Sequence, residues 1–145
     1  MNTKIYCDIA DIDLIKKFSK KKIVKGFTTN PSLMRNAGAK NYKSYSLKLI
    51  KLSKNKPISL EVFADNYIGM KRQAYEISTW GKNVYVKIPV VNSKNVFSKK
   101  VIQELNKNNI KLNITAVYNF QQVKKILKII NKKTQTIISI FVGRA

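Results

Sequence analysis

The most reactive pattern in the sequence is a lysine set among apolar residues, in Val84-Tyr85-Val86-Lys87-Ile88-Pro89. A strand here would bury the side chain, and burial favours the neutral amine. A neutral amine is a nucleophile toward carbonyls and forms Schiff bases. Taken alone, the stretch fits equally well a lysine that snorkels from a strand end to solvent, since the chain has 26 Lys. Strand side chains alternate between faces, and other polar residues share the phase of Lys87. Asp8, Glu61, Asn113, Thr115 and Ser139 each stand opposite the aliphatic phase of their own stretch. Only seven residues are acidic, and two of them lie inside strand-like stretches. A retro-aldol reaction calls for such a set. It needs an amine to form the imine, a carboxylate to move a hydroxyl proton, a second acid to handle water, and amides to hold hydroxyls.

Composition removes other chemistries. With no His and one cysteine, Cys7, the 145 residues hold no zinc site of the usual Cys/His type and no Ser-His or Cys-His pair. No metal is expected, and a single Cys forms no internal disulfide. Cys7 falls on the outward phase and reads as a small hydrophobe. Apolar runs such as Ile140 to Val142 are too short to cross a bilayer. The N-terminus, Met1-Asn2-Thr3-Lys4-Ile5-Tyr6, lacks a signal-peptide core. The expectation is a soluble cytoplasmic protein with no membrane partner.

The charge is large: 29 Lys+Arg against 7 Asp+Glu, a net +22. Only Arg35, Arg72 and Arg144 are Arg, whereas sites that read bases or clamp phosphates favour its planar fork. Lys, Ile and Asn all have AT-rich codons, and the lysines spread over the whole chain. Solvated helix faces account for them better than a nucleic-acid partner does.

The elements that must position the reactive set alternate at a near-constant pitch. Strand-like stretches rich in Ile, Val, Tyr and Phe run over Lys4–Ile9, Ile23–Thr28, Ile58–Ala64, Asn83–Pro89, Ile110–Ala116 and Thr136–Val142. Between them apolar residues recur at helical spacing: Tyr42, Tyr45, Leu49 and Leu52; Tyr67, Met70, Ala74 and Ile77; Phe97, Val101 and Leu105; Val123, Ile126, Leu127 and Ile130. Asn30 before Pro31 predicts a helix start, and Gly81 a helix stop. The order is six strands joined by five helical segments, with a parallel sheet. Helices on both sides of an open sheet would want both strand faces apolar. One aliphatic face and one face with single charged or amide groups fits a barrel with its reactive groups near the strands' C-terminal ends.

Five ordered motifs resemble one family over essentially the whole chain. Gly26-Phe27-Thr28-Thr29-Asn30-Pro31-Ser32-Leu33 is similar to the transaldolase signature after the second strand. Glu61-Val62-Phe63, Val86-Lys87-Ile88-Pro89, Asn113-Ile114-Thr115 and Ile138-Ser139-Ile140-Phe141-Val142-Gly143-Arg144 match in order and spacing. The resemblance implies a class I, Schiff-base enzyme on a (β/α)₈ barrel, without metal or organic cofactor. Its substrates would be sugar phosphates of the pentose phosphate pathway, between which a dihydroxyacetone unit moves. On that likeness Lys87 attacks the C2 ketone and Asp8 takes the C4 hydroxyl proton. Glu61 and Thr115 handle a catalytic water. Asn30 and Asn113 hold the three-carbon unit with Ser139 nearby, and Arg144 binds the substrate phosphate. Phe141 falls among the substrate-side positions, although it and Phe63 also read as barrel core; Thr28 and Thr29 read as turn residues.

Fructose-6-phosphate aldolase, which releases dihydroxyacetone, is the nearest alternative. It typically has Gln where Glu61 stands and Tyr where Phe141 stands, so both positions follow the transferase. A (β/α)₈ barrel takes about 250 residues, and strands seven and eight have no counterpart in the 145 residues, taken as a single barrel-type domain. An unclosed sheet leaves two bare edges that invite pairing, so a homo-oligomer is among the expectations. A third reading is non-enzymatic: an inactive remnant, or a basic protein that binds polyanions.

Overall fold

The computed structural model describes residues 3–143 of the chain. Along them run β1 (Ile5–Asp8), α1 (Ile12–Ser19), β2 (Val24–Thr28), α2 (Pro31–Asn36), α3 (Tyr42–Leu52) and β3 (Ile58–Glu61). There follow α4 (Tyr67–Ser78), β4 (Val84–Pro89), α5 (Lys99–Lys107), β5 (Leu112–Val117), α6 (Phe120–Leu127) and β6 (Thr136–Ile140). The printed pairings are parallel and follow chain order, β1 beside β2 and β2 beside β3, then β4 beside β5 and β5 beside β6. This is the expected α/β class, of incomplete (β/α)₈ type. No described helix is long and apolar enough to cross a membrane.

The described residues divide into two units, one running to Glu61 and including Trp80–Val84, the other comprising Val62–Thr79 and the residues from Tyr85 onward. In the first, α1 packs against α3, and Ile15, Phe27, Leu49, Ile58 and Leu60 are fully buried. Each such side chain contributes about 1.5–3 kcal/mol. Gly26 in β2 is required by a close approach. A Cβ there would lie 2.2 Å from the Tyr6 ring and 2.9 Å from the Pro57 carbonyl oxygen.

In the second unit α4 packs against α5, over a core that includes Ala74, Ile88, Ile102, Leu105 and Ile114. Lys71 Nζ lies 2.8 Å from Glu104 Oε1, and the Tyr67 hydroxyl donates to Glu104 Oε2. These bonds tie the outer faces of α4 and α5.

Asparagine, abundant in the sequence, does much of the capping. Asn30, Asn41, Asn66 and Asn119 each accept a backbone N–H in the first turn of α2, α3, α4 and α6. Asn119 and Gln122 form a reciprocal capping box. The Asn30-Pro31 start is therefore as expected.

Several boundaries differ from the sequence reading. The β2–β3 connection holds two helices where one was expected, because Asn30 and Asn41 each cap their own and Gly38 turns between them at φ +91. β3 ends at Glu61 instead of Ala64, since the N–H groups of Phe63 and Ala64 both donate to Gln73 Oε1 at 2.9 Å. Phe97 precedes α5, bridging Val91, and Ile130 lies beyond α6. Gly81 is no cap: α4 closes at Thr79, and a Cβ at Gly81 would press on Ile50 at 3.0 Å.

Candidate active site

Each unit carries part of the reactive set, near the C-terminal ends of its strands. In the first unit Asp8, Thr28 and Glu61 are the last residues of β1, β2 and β3. The parallel register sets Asp8 against Thr28, whose hydroxyl donates to Asp8 Oδ1 at 2.8 Å. Thr28 thus orients the Asp8 carboxylate, a role the turn reading missed. Both residues lie on the same strand phase, and only the β1–β2 register turns that into a contact.

Asn30 follows β2 with its Oδ1 committed to the helix cap, accepting from Leu33 N–H at 2.9 Å. What it offers a ligand is chiefly its amide N–H. Glu61 is half-buried, and its backbone carbonyl accepts the Tyr42 hydroxyl at 2.7 Å. Burial, and next the Glu61 carboxylate, push the Tyr42 phenol well above its ordinary range. Tyr42 is therefore a neutral donor.

The second unit brings four candidate residues onto neighbouring strands, with Phe141 just beyond the end of β6. Lys87, 6% exposed, is buried as its apolar flanks require. It stands in register with Asn113 on β5, and Pro89 with Thr115. Asn113 is fully buried, and its Oδ1 accepts the Ser139 hydroxyl from β6 at 2.7 Å. The bond fixes the Asn113 amide so that its NH₂ group can only donate elsewhere. Thr115 is 2% exposed, and its Oγ1 has no hydrogen-bond partner among the described residues. A buried hydroxyl left unpaired costs about 1–3 kcal/mol. Such a group calls for a partner from outside the chain, a water or a ligand.

Directly after Thr115, Ala116 takes φ +58 and the β5–β6 register shifts between Ile114 and Val117. This is a bulge, and it leaves the Val117 carbonyl to accept the Phe141 N–H at 2.8 Å. Phe141 is partly exposed, its ring edge-on to Tyr118 at 5.5 Å. Phe63 departs from the core reading: it is 62% exposed, because the chain leaves the strand at Glu61. Arg144 lies outside the described residues. Among the described residues no three His, Cys, Asp or Glu side chains gather to hold a metal ion.

Comparison with known proteins shows the family. The pattern of the family described as Transaldolase/Fructose-6-phosphate aldolase matches residues 5–145. A probable transaldolase of Dehalococcoides mccartyi is 34% identical over 119 residues, 82% of this chain and 53% of the relative. One from Methanococcus maripaludis is 35% identical over 141 residues, 97% of this chain and 61% of the relative. One from Thermoplasma volcanium is 34% identical over 143 residues, 97% of this chain and 60% of the relative. The chain spans between half and two thirds of these relatives' length. A family match over residues 5–145, with relatives about one third identical along most of the chain, places it in the transaldolase/fructose-6-phosphate aldolase family.

Proposed function

We propose that the chain performs transaldolase-type chemistry: transfer of a dihydroxyacetone unit from a ketose phosphate to an aldose phosphate through an imine on Lys87. The observation that carries the reading is the arrangement on β4, β5 and β6. A buried lysine stands in register with an asparagine whose carbonyl oxygen is held by Ser139, with the unpartnered Thr115 hydroxyl two residues further on.

In this reading the Lys87 amine adds to the C2 ketone and water leaves, forming the imine. The C3–C4 bond then breaks as the C4 hydroxyl gives up its proton, C4 leaves as the aldehyde of an aldose phosphate, and the electron pair is held as an enamine. The enamine attacks the aldehyde of the acceptor, and water hydrolyses the new imine to free Lys87. The Asn113 amide donates to a hydroxyl of the three-carbon unit. The Thr115 hydroxyl takes the water as its missing partner. The roles of Asp8 as proton acceptor, Glu61 on the water, Asn30 on the three-carbon unit and Arg144 on the phosphate rest on sequence likeness alone. A place in the cytoplasmic pentose phosphate pathway belongs to the same proposal.

Borohydride trapping with fructose 6-phosphate, read by peptide mass spectrometry, tests this. A reduced three- or six-carbon adduct on Lys87, absent from Lys87→Met, is expected. Folded protein that yields no adduct would overturn the enzymatic reading for this chain. Accumulation of free dihydroxyacetone without an acceptor would favour the aldolase reaction over transfer.

A further inference from the structure

The lysines spread over the chain as the sequence reading has it, with one dense exception in the first unit. Six of the ten residues 16–25 are Lys, and Lys16, Lys17, Lys20, Lys21, Lys22 and Lys25 are all exposed. The helix dipole accounts for Lys16 and Lys17, in the last turn of α1. It does not account for Lys21, Lys22 and Lys25, which lie beyond the helix. Lys16 and Lys20, four residues apart, are a like-charged pair of the kind that destabilises a helix. None of the six forms an ion pair with a carboxylate among the described residues. The cluster repels itself and gains nothing from the chain in return.

The fold sets this charge around two concavities. Lys16, Lys17, Lys20 and Lys21, with Asp13, line one of about 470 Å³. Lys20, Lys22, Lys25 and Lys56, with Ser19 and Val24, line a second of about 330 Å³. Lys20 borders both, and Asp13 is the one acidic residue on either lining. Lys56, just before β3, is pinned: its Nζ donates to the carbonyl oxygens of Lys21 and Val24 at 2.7 Å each. An ammonium group has three donors, so one remains for a ligand. The same two bonds hold the 21–24 turn, which the Val24 N–H closes on the Lys21 carbonyl at 3.2 Å.

We propose that this surface binds the phosphate backbone of a nucleic-acid duplex, without regard to sequence. The two concavities seat neighbouring phosphates, and the lysines around them replace the counterions of the duplex. Lysine is a point charge on a flexible stem and suits such contact. Base reading favours arginine, of which residues 16–25 have none. Phe18, half-buried, is the only aromatic residue among them, so the unstacked bases of a single strand find no platform. Ile23, 64% exposed, is the only large apolar side chain exposed there, too little to anchor on a bilayer. The binding is independent of the imine chemistry and needs no turnover to be detected.

The test is fluorescence anisotropy of a labelled mixed-sequence DNA duplex of about 20 base pairs, titrated with the full chain between about 50 and 200 mM salt. Saturable binding is expected, with the log–log salt slope steepened by about 0.9 for each phosphate engaged. A triple variant, Lys20→Gln, Lys22→Gln and Lys25→Gln, should weaken binding by about tenfold or more and reduce that slope by about 2–3. Lys56 stays intact so that the turn keeps its bonds, and an unchanged circular dichroism spectrum checks the fold. A control with Lys99→Gln, Lys100→Gln and Lys107→Gln removes the same charge from α5 and should change affinity by less than about threefold. An equal loss in the control would overturn the site, leaving net charge as the cause. No saturable binding at the lowest salt, or an unchanged slope in the first variant, would overturn the proposal as a whole. Tighter binding of single-stranded DNA of the same length would overturn the duplex as the partner. So would loss of binding to phosphatidylserine vesicles in the first variant with duplex binding unaffected.

Discussion

Thr115→Val separates the stability and the chemistry of one side chain. Valine matches threonine in shape and keeps the β-branched fit to β5, so the change removes only the hydroxyl. That hydroxyl is 2% exposed as part of its residue and has no hydrogen-bond partner among the described residues. Leaving such a group unmet costs about 1–3 kcal/mol. Taking the lower end, because a hydroxyl is a weak polar group, the variant should be more stable by about 1 kcal/mol, or about 3 °C in Tm. Thr115→Ser does the opposite: it keeps the hydroxyl and deletes a buried methyl. It should be less stable by about 1 kcal/mol from lost transfer energy and the small cavity. Urea unfolding followed by circular dichroism measures both, with unchanged m-values as the check that the denatured state is the same. In the trapping reaction the ranking should invert, with Thr115→Ser retaining adduct formation and Thr115→Val losing most of it. A Thr115→Val protein less stable than the parent by 1 kcal/mol would refute the reasoning, since the hydroxyl would then have a partner in the folded chain.

Three further outcomes follow from the packing and charges. Gly26→Ala drives a Cβ to 2.2 Å from the Tyr6 ring and 2.9 Å from the Pro57 oxygen. It should cost about 2–3 kcal/mol in urea unfolding, and Tyr6→Ala in the same chain should recover only part, because the Pro57 carbonyl remains. Asn119→Ala removes the α6 capping box and should cost about 1 kcal/mol; a loss under about 0.3 kcal/mol would show that packing alone holds the helix. Glu104 is held below its usual carboxylate value first by the hydrogen bond from Lys71 and next by that from Tyr67. A depressed folded value means stability present above the unfolded value of about 4.5 and lost as pH falls through the folded one. The stability advantage of the parent over Glu104→Gln should therefore shrink as acid is added, and a gap that widens would contradict the sign.

The local patterns were legible without the tertiary structure. Lys87, Asn113, Thr115 and Ser139 could be placed on one strand phase because strand side chains repeat every two residues, and the alternation between faces lies in neighbouring positions of the chain. Asn30-Pro31 announced α2 for an equally local reason: a cap needs only the next three residues. Contacts across strands were not legible. The Thr28 hydroxyl reaches Asp8 through the register of β1 on β2, and register depends on how two distant stretches settle against each other. The end of β3 at Glu61, and with it the exposure of Phe63, depends on Gln73 of α4 taking the N–H groups that a longer strand would have paired. The bulge at Ala116 and the unmet hydroxyl of Thr115 belong to the same class. By itself the sequence determined which residue types recur on which face of each element, because periodicity is local. Only the tertiary structure decided which of those residues meet a partner and which are left without one, because a hydrogen bond between distant residues is set by the packing of whole elements.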